Sequence, residues 1–217
     1  MKKLERNCSL VFDEISLKQH LDYHKNNDKI IGIQSNGKPI NQVLVLMVCG
    51  LSTKWKRPIT YFYNNTTVCS TNLAYIVNNA MIHLHKTGLA VRCLVCDQSS
   101  SNLVTLKFLG FSLSNQQISH PTAGAKVYIT FDPPHLIKNI INYLLKHDIL
   151  SDGKIISGKH LEELYSLDKV NTVQLVPKLT DRHLDPESLL AMRVKLATQI
   201  FSSQVATALT EYASAKL

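Results

Sequence analysis

Two aspartates are placed where oxygen chemistry would need them. Asp97 ends the apolar run Leu89-Ala-Val-Arg-Cys-Leu-Val-Cys-Asp97 and is followed at once by Gln98-Ser-Ser-Ser-Asn102. That pattern predicts a buried strand delivering one carboxylate to its C-terminal end, where a polar turn opens a helix. Asp13 lies inside a second such run, Cys8-Ser-Leu-Val-Phe-Asp-Glu-Ile-Ser-Leu17. Desolvating an ionised carboxylate costs several kcal/mol unless something pairs with it. A divalent ion held between the two acids is one way to meet that cost. Hydrogen bonds from backbone amides, or a lysine, are the others. Strand alternation turns Glu14 to the opposite face from Asp13, so Glu14 is not expected as a ligand.

Other groups carry weaker signals. Cys93-Leu-Val-Cys96 has a CxxC spacing, but residues three apart on a strand point to opposite faces and cannot share an ion. His20 and His24 are four apart without the glutamate of a zinc motif or a third ligand nearby. Lys54, Trp55, Lys56 and Arg57 join cations to an aromatic ring just before Pro58. The cations suit phosphates and the indole suits a sugar or base. A solvated turn with Trp55 packed on a sheet is the plainer reading of the same residues. No GxxxxGK[ST] phosphate loop and no Asn-Lys-x-Asp guanine-reading pattern is present.

Elements to position these residues can be read from periodicity. Strands are expected at 8–17, 29–33, 42–48 and 126–131, with 59–63 extending the third or adding a further piece of sheet. Asn36-Gly37 is a strong hairpin signal between the second and third. A helix capped by Ser70 or Thr71 should run to Gly88, with Leu73, Ile76, Val77, Ala80, Met81 and Leu84 on one face. A short helix capped by Ser100 or Ser101 should stop at Gly110, and 112–125 reads as a loop. Asp132-Pro-Pro-His135 opens another helix, and Asp185-Pro-Glu187 repeats that start signal for one carrying Leu190, Val194, Ala197, Phe201, Val205 and Ala208. The change from mixed elements to helices near 132 marks a domain boundary.

Composition narrows the class. The chain has 217 residues, 45 % of them hydrophobic and 18 % charged, which suits one full core and the start of a second. The longest apolar run, 43–51, is far short of the roughly 20 residues needed to cross a bilayer, so no membrane role is expected. The opening Met1-Lys-Lys-Leu-Glu-Arg-Asn has no apolar signal region, which argues against secretion. Five sparse cysteines suit a reducing compartment. The net charge of +8, dispersed rather than clustered, favours a polyanionic partner such as nucleic acid bound on a folded surface.

Four segments sharpen this into a family resemblance. Phe12-Asp-Glu-Ile15, Val95-Cys-Asp-Gln98, Phe131-Asp-Pro-Pro-His-Leu-Ile-Lys-Asn139 and Val194-Lys-Leu-Ala-Thr-Gln-Ile-Phe-Ser202 resemble P-element-type transposases, which include THAP-domain transposases domesticated in animals. The resemblance covers nearly the whole chain. It implies an α/β fold: an RNase H-like mixed sheet with flanking helices over 1–131, then an all-helical, partial insertion domain of the GTP-binding type over 132–217. It implies DNA cleavage and strand transfer with two ions, Mg²⁺ or Mn²⁺, with Asp13 as bridging ligand and Asp97 holding one ion. It implies DNA as partner, GTP by analogy alone, a second copy or another transposase-derived chain as further partners, and a nuclear location. The family's zinc-coordinating THAP domain and its third acid, a glutamate after the insertion, have no counterpart here. The expectation is therefore a truncated, catalytically incomplete chain that retains at most DNA binding. A domesticated interaction protein and a decayed remnant are the alternatives.

Overall fold

Alternation builds the first strand. Leu10 and Phe12 are fully buried, while Val11 is half-buried and Asp13 exposed, so Asn7–Ser16 (β1) puts one face into a core. The chain leaves the main sheet for a small ribbon, Asp22–His24 (β2) against Lys29–Ile31 (β3). It returns through Gln42–Gly50 (β4) and Lys56–Asn64 (β5). The helix Ser70–Lys86 (α1) leads into Ala90–Cys96 (β6), and Ser100–Phe108 (α2) follows. Gln117–Ser119 (β7) and Lys126–Phe131 (β8) complete the sheet. This computed structural model describes residues 3–185 and 194–215.

The six-stranded sheet has the order β5-β4-β1-β6-β8-β7. β1 runs antiparallel to β4 and parallel to β6, which in turn runs parallel to β8. β1 and β6 are therefore central neighbours pointing the same way. Leu10, Phe12, Leu44, Leu46 and Leu94 pack beneath Leu73, Val77 and Met81 of α1 and Leu106 of α2. Each such side chain contributes about 1.5–3 kcal/mol when fully buried. Both helices end alike. Gly88 and Gly110 take positive φ, Leu89 N–H donates to Leu84 and Phe111 N–H to Leu106. These six-to-one bonds close the last turn and set the exit direction.

Several expected details differ. Residues 29–33 do not join the main sheet. Asn36-Gly37 does make a tight turn, with Gln34 N–H bonded to the Lys38 carbonyl and an isolated bridge between Ile33 and Pro39. It closes a loop within the excursion between β1 and β4. Residues 112–125 contain β7. Ser99, not Ser100 or Ser101, caps α2 by accepting the Asn102 N–H, and Cys69 holds the N-cap position of α1 without a side-chain cap bond.

Contacts divide the chain into two compact units, Met1–Asp132 and Pro133–Leu217. The second starts with Pro133–Leu144 (α3), a hairpin of Ile149–Ser151 (β9) and Lys154–Ile156 (β10), and Lys159–Lys169 (α4). The hairpin interrupts the expected all-helical pattern, because Asp152 and Gly153 both take the positive φ that a two-residue turn requires. Asp181–Leu184 (α5), Val194–Ile200 (α6) and Ser203–Ala215 (α7) follow. The expected single helix over the last segment is broken at Phe201-Ser202, and its start at Asp185-Pro-Glu187 lies largely outside the described residues. Ile141, Leu144, Leu161, Leu164, Val176, Ala197, Ile200 and Val205 form this unit's own core. Within it, buried Asp168 accepts the Leu175 and Val176 N–H groups at 2.8 and 2.9 Å.

Candidate functional site

The carboxylates meet because of one extra residue. Cys8 pairs with Val91, but Ser9 pairs with Cys93, so Arg92 is a bulge in β6. Beyond it the register runs Leu10 to Leu94 and Val11 to Val95. Two residues further along each strand, Asp13 and Asp97 fall level. Without the bulge Asp13 would sit level with Cys96, whose side chain belongs to the core face. Asp13 and Asp97 line one cleft of about 300 Å³, with Glu14, Gln42, Thr67, Ser99 and Asn102 on its walls. Burial pushes the Cys96 thiol up to about 12, and the carboxylates of Asp97 and Asp13 add to that shift.

Asp97 is held firmly. Its Oδ1 accepts the Ser99 N–H at 3.0 Å and the Asn102 Nδ2–H at 2.6 Å. Both bonds fall on Oδ1, which leaves the lone pairs of Oδ2 for another partner. Asp13 Oδ1 accepts the neighbouring Glu14 N–H at 2.8 Å. Glu14 belongs to the other face of β1 yet still reaches the cleft, which spans the strand ends. Its Oε1 accepts the Val68 N–H at 2.8 Å, tying β1 to the segment before α1.

The donor set suits a hard divalent ion. It offers carboxylate oxygens of the kind that Mg²⁺ and Mn²⁺ take alongside their own waters. Gln42 adds an independent sign: its Oε1 is buried without a hydrogen-bond partner and lines the same cleft. An orphaned buried acceptor is uncommon, and a bound water is one group that would satisfy it. Among the described residues no group of three His, Cys, Asp or Glu forms that could hold a metal. Cys93 and Cys96 lie on opposite faces: Cys93 is half-buried with its Sγ 3.2 Å from Thr130 Oγ1, and Cys96 is buried in the core. Both are free thiols.

The basic cluster lies elsewhere on the sheet. Lys56 and Arg57 pair with Cys49 and Val48, whereas Asp13 is level with Val45 and Tyr61. The separation is about 13 Å along the strands and two strands across. Lys54, Lys56 and Arg57 are exposed. Trp55 is half-buried against the core, and Gly50 leaves room for its indole, since a Cβ there would overlap the ring. This packing removes much of the ring face from a base-stacking role. No helix among the described residues is long and apolar enough to cross a membrane.

Residues 1–110 match the family model of the TNP-like RNase H N-terminal domain, and residues 134–217 match that of the TNP-like GTP-binding insertion domain. The chain is 29% identical over 203 residues to the Transposable element P transposase of Drosophila melanogaster, covering 93% of this chain and 26% of that protein. It is 24% identical over 227 residues to DNA transposase THAP9 of Homo sapiens, covering 95% of this chain and 24% of that protein. The fold is similar to a chain of the Drosophila P element transposase strand transfer complex, with a TM-score of 0.84, 28% identity, and coverage of 99% of this chain and 46% of that one. The chain thus spans about a quarter of the length of these curated relatives. The sheet with its flanking helices is the RNase H-like arrangement.

Proposed function

This chain belongs to the TNP-like, P-element-type transposase family, and from that premise we propose that it supplies part of a DNA-cutting and DNA-joining centre used in transposition. The observation that carries the reading is the placement of Asp13 and Asp97 at one level on adjoining parallel strands, above a single cleft. Asp97 offers Oδ2 while Ser99 and Asn102 hold Oδ1. Asp13, more exposed, would hold the ion from the solvent side, where a phosphodiester would approach. Gln42 lines the same cleft, and its unpartnered Oε1 would accept a hydrogen bond from a water carried by the ion. A divalent ion, Mg²⁺ or Mn²⁺, supplies at such a site the positive charge that stabilises oxyanions at phosphorus. Two carboxylates hold it weakly, so we assign ion and DNA binding to this chain, and strand cleavage and transfer to an assembly that adds a third acid.

For DNA we propose Lys54, Lys56 and Arg57 as phosphate contacts, with Trp55 bracing the turn that carries them. The +8 net charge supports a polyanionic partner. Guanine nucleotide is proposed for residues 134–217 on the name of the matching family alone. A nuclear location follows from a DNA substrate, and pairing with a second copy or a related chain is part of the same reading.

Calorimetric titration with Mg²⁺ or Mn²⁺ tests the site. Wild type should bind weakly, and Asp13→Asn and Asp97→Asn should each abolish the heat. Two variants that titrate like the parent would remove the assignment.

A further inference from the structure

We propose that Asn102 is the positioning residue for Asp97, fixing which carboxylate oxygen faces the ion. The proposal rests on the ion-binding reading above and goes beyond it by naming a residue that acts through Asp97 rather than as a ligand. Asn102 is 8 % exposed, in the first turn of α2. Its Nδ2–H donates to Asp97 Oδ1 at 2.6 Å, the shortest of the hydrogen bonds on that carboxylate. Its own backbone N–H is taken by Ser99 Oγ at 3.3 Å, and the Ser99 N–H donates to Oδ1 as well. The residues just after β6 thus form a closed ring of bonds around one oxygen of Asp97.

The ring is anchored. The Ser101 carbonyl accepts Ser70 Oγ–H at 3.0 Å and Thr105 Oγ1–H at 2.9 Å. The Thr105 hydroxyl also lies 3.3 Å from the Ser70 carbonyl. The start of α2 is therefore bonded to the start of α1, and Asn102 cannot drift without breaking that joint. An amide suits the task because its NH₂ donates to a carboxylate without carrying a charge of its own. Aspartate at this position would repel Asp97. Alanine would leave Oδ1 with one donor and the carboxyl group free to turn.

The test measures Mn²⁺ affinity of the full chain by electron paramagnetic resonance of the free ion, with thermal melts alongside. Asn102→Ala, and the near-isosteric Asn102→Leu should alanine compromise folding, are expected to weaken binding by about 10-fold or more, the usual effect of losing a partner of a metal ligand. Leu106→Val loosens the same helix by thinning its core packing, touches neither Asp97 nor the Ser70–Ser101–Thr105 joint, and should leave affinity unchanged. If Asp97→Asn abolishes binding while both Asn102 variants bind like wild type, the positioning role is wrong and the ion site stands. If Leu106→Val weakens binding as much as Asn102→Ala, the effect is general loosening and the proposal also falls. If wild type and Asp97→Asn bind alike, the ion-site reading itself has failed.

Discussion

Replacing Asp13 by asparagine should stabilise the ion-free protein while removing its response to divalent ions. Neighbouring strands lie about 4.8 Å apart, so carboxylates at one level hold their charges about 5 Å apart. Two unit charges at that distance repel by about 0.8 kcal/mol in water and about 3 kcal/mol at an effective dielectric constant of ~20. Asp13 is exposed, so the lower end applies, and relief of about 1 kcal/mol is expected. For a unit of this size that raises Tm by about 3–4 °C. Asparagine keeps the shape and the acceptor that takes the Glu14 N–H. In the wild type, an ion at ten times its Kd should add back about 1.4 kcal/mol. The assay is a pair of melts, in EDTA and in Mg²⁺ or Mn²⁺, for each protein. The variant should melt higher in EDTA and show no ion-dependent rise. A variant that melts lower in EDTA and still gains with the ion would refute the reasoning, because Asp13 would then be a structural acid with no part in a shared charge.

Other outcomes follow from the same features. Cys69 is exposed and its thiol is pulled below the ordinary value by the Thr71 hydroxyl and by the Thr71 and Asn72 N–H groups, so thiol reagents near neutral pH should modify it first, as peptide mass mapping would show. Burial pushes Cys8 up to about 11, with Cys49 adding to it, and Cys96 up to about 12. Those thiols stay protonated in the fold while the unfolded chain ionises near pH 9, so stability should hold below pH 9 and fall from there toward pH 11–12 in urea titrations. His120 is buried, which lowers its pKa, and nearby His85 lowers it further against the opposing Met81 carbonyl. Its Nδ1 accepts the Thr122 and Ala123 N–H groups, so stability should be full above pH 6.5 and decline as pH drops below it, and His120→Gln should flatten that decline. Lys56→Ala with Arg57→Ala should weaken DNA binding similarly for all sequences and reduce the salt slope by about 2 in fluorescence anisotropy, while Trp55→Phe should alter Tm more than affinity.

The two strand-end acids and the helix around Leu73, Val77 and Met81 were legible in the sequence because local rules govern them. Alternation buries Leu10 and Phe12, i to i+4 spacing sets the α1 stripe, and Gly88 ends that helix where a left-handed residue is needed. The meeting of Asp13 and Asp97 was implied by the family resemblance and by no local rule. It depends on the bulge at Arg92, and nothing in Ala-Val-Arg-Cys marks which residue is left unpaired. Strand alternation sets Glu14 apart from Asp13 as a ligand; that Glu14 still lines the cleft, with its Oε1 held by the Val68 N–H, was not legible. Asn102 and Gln42 carried no local signal, since their significance lies in partners, or in a missing partner, far along the chain. Residues 29–33 read as a sheet strand because Ile-Ile alternation cannot tell a two-stranded ribbon from a central ladder. The Asp152-Gly153 turn was visible, but the three-residue strands beside it are too short to register as periodicity.

The order in which the sheet strands are made has a consequence for assembly. On a ribosome, β1, β4 and β5 emerge together and can fold back on one another as a meander. The parallel partner β6 arrives only after α1 has been synthesised to bridge the crossover. Until it docks, residue 13 has no opposing carboxylate, and a nascent chain stalled inside α1 would hold sheet structure yet ignore divalent ions. On the ion-binding proposal, affinity would arise with the closing of the β1–β6 seam, before β7 and β8 are added to the sheet.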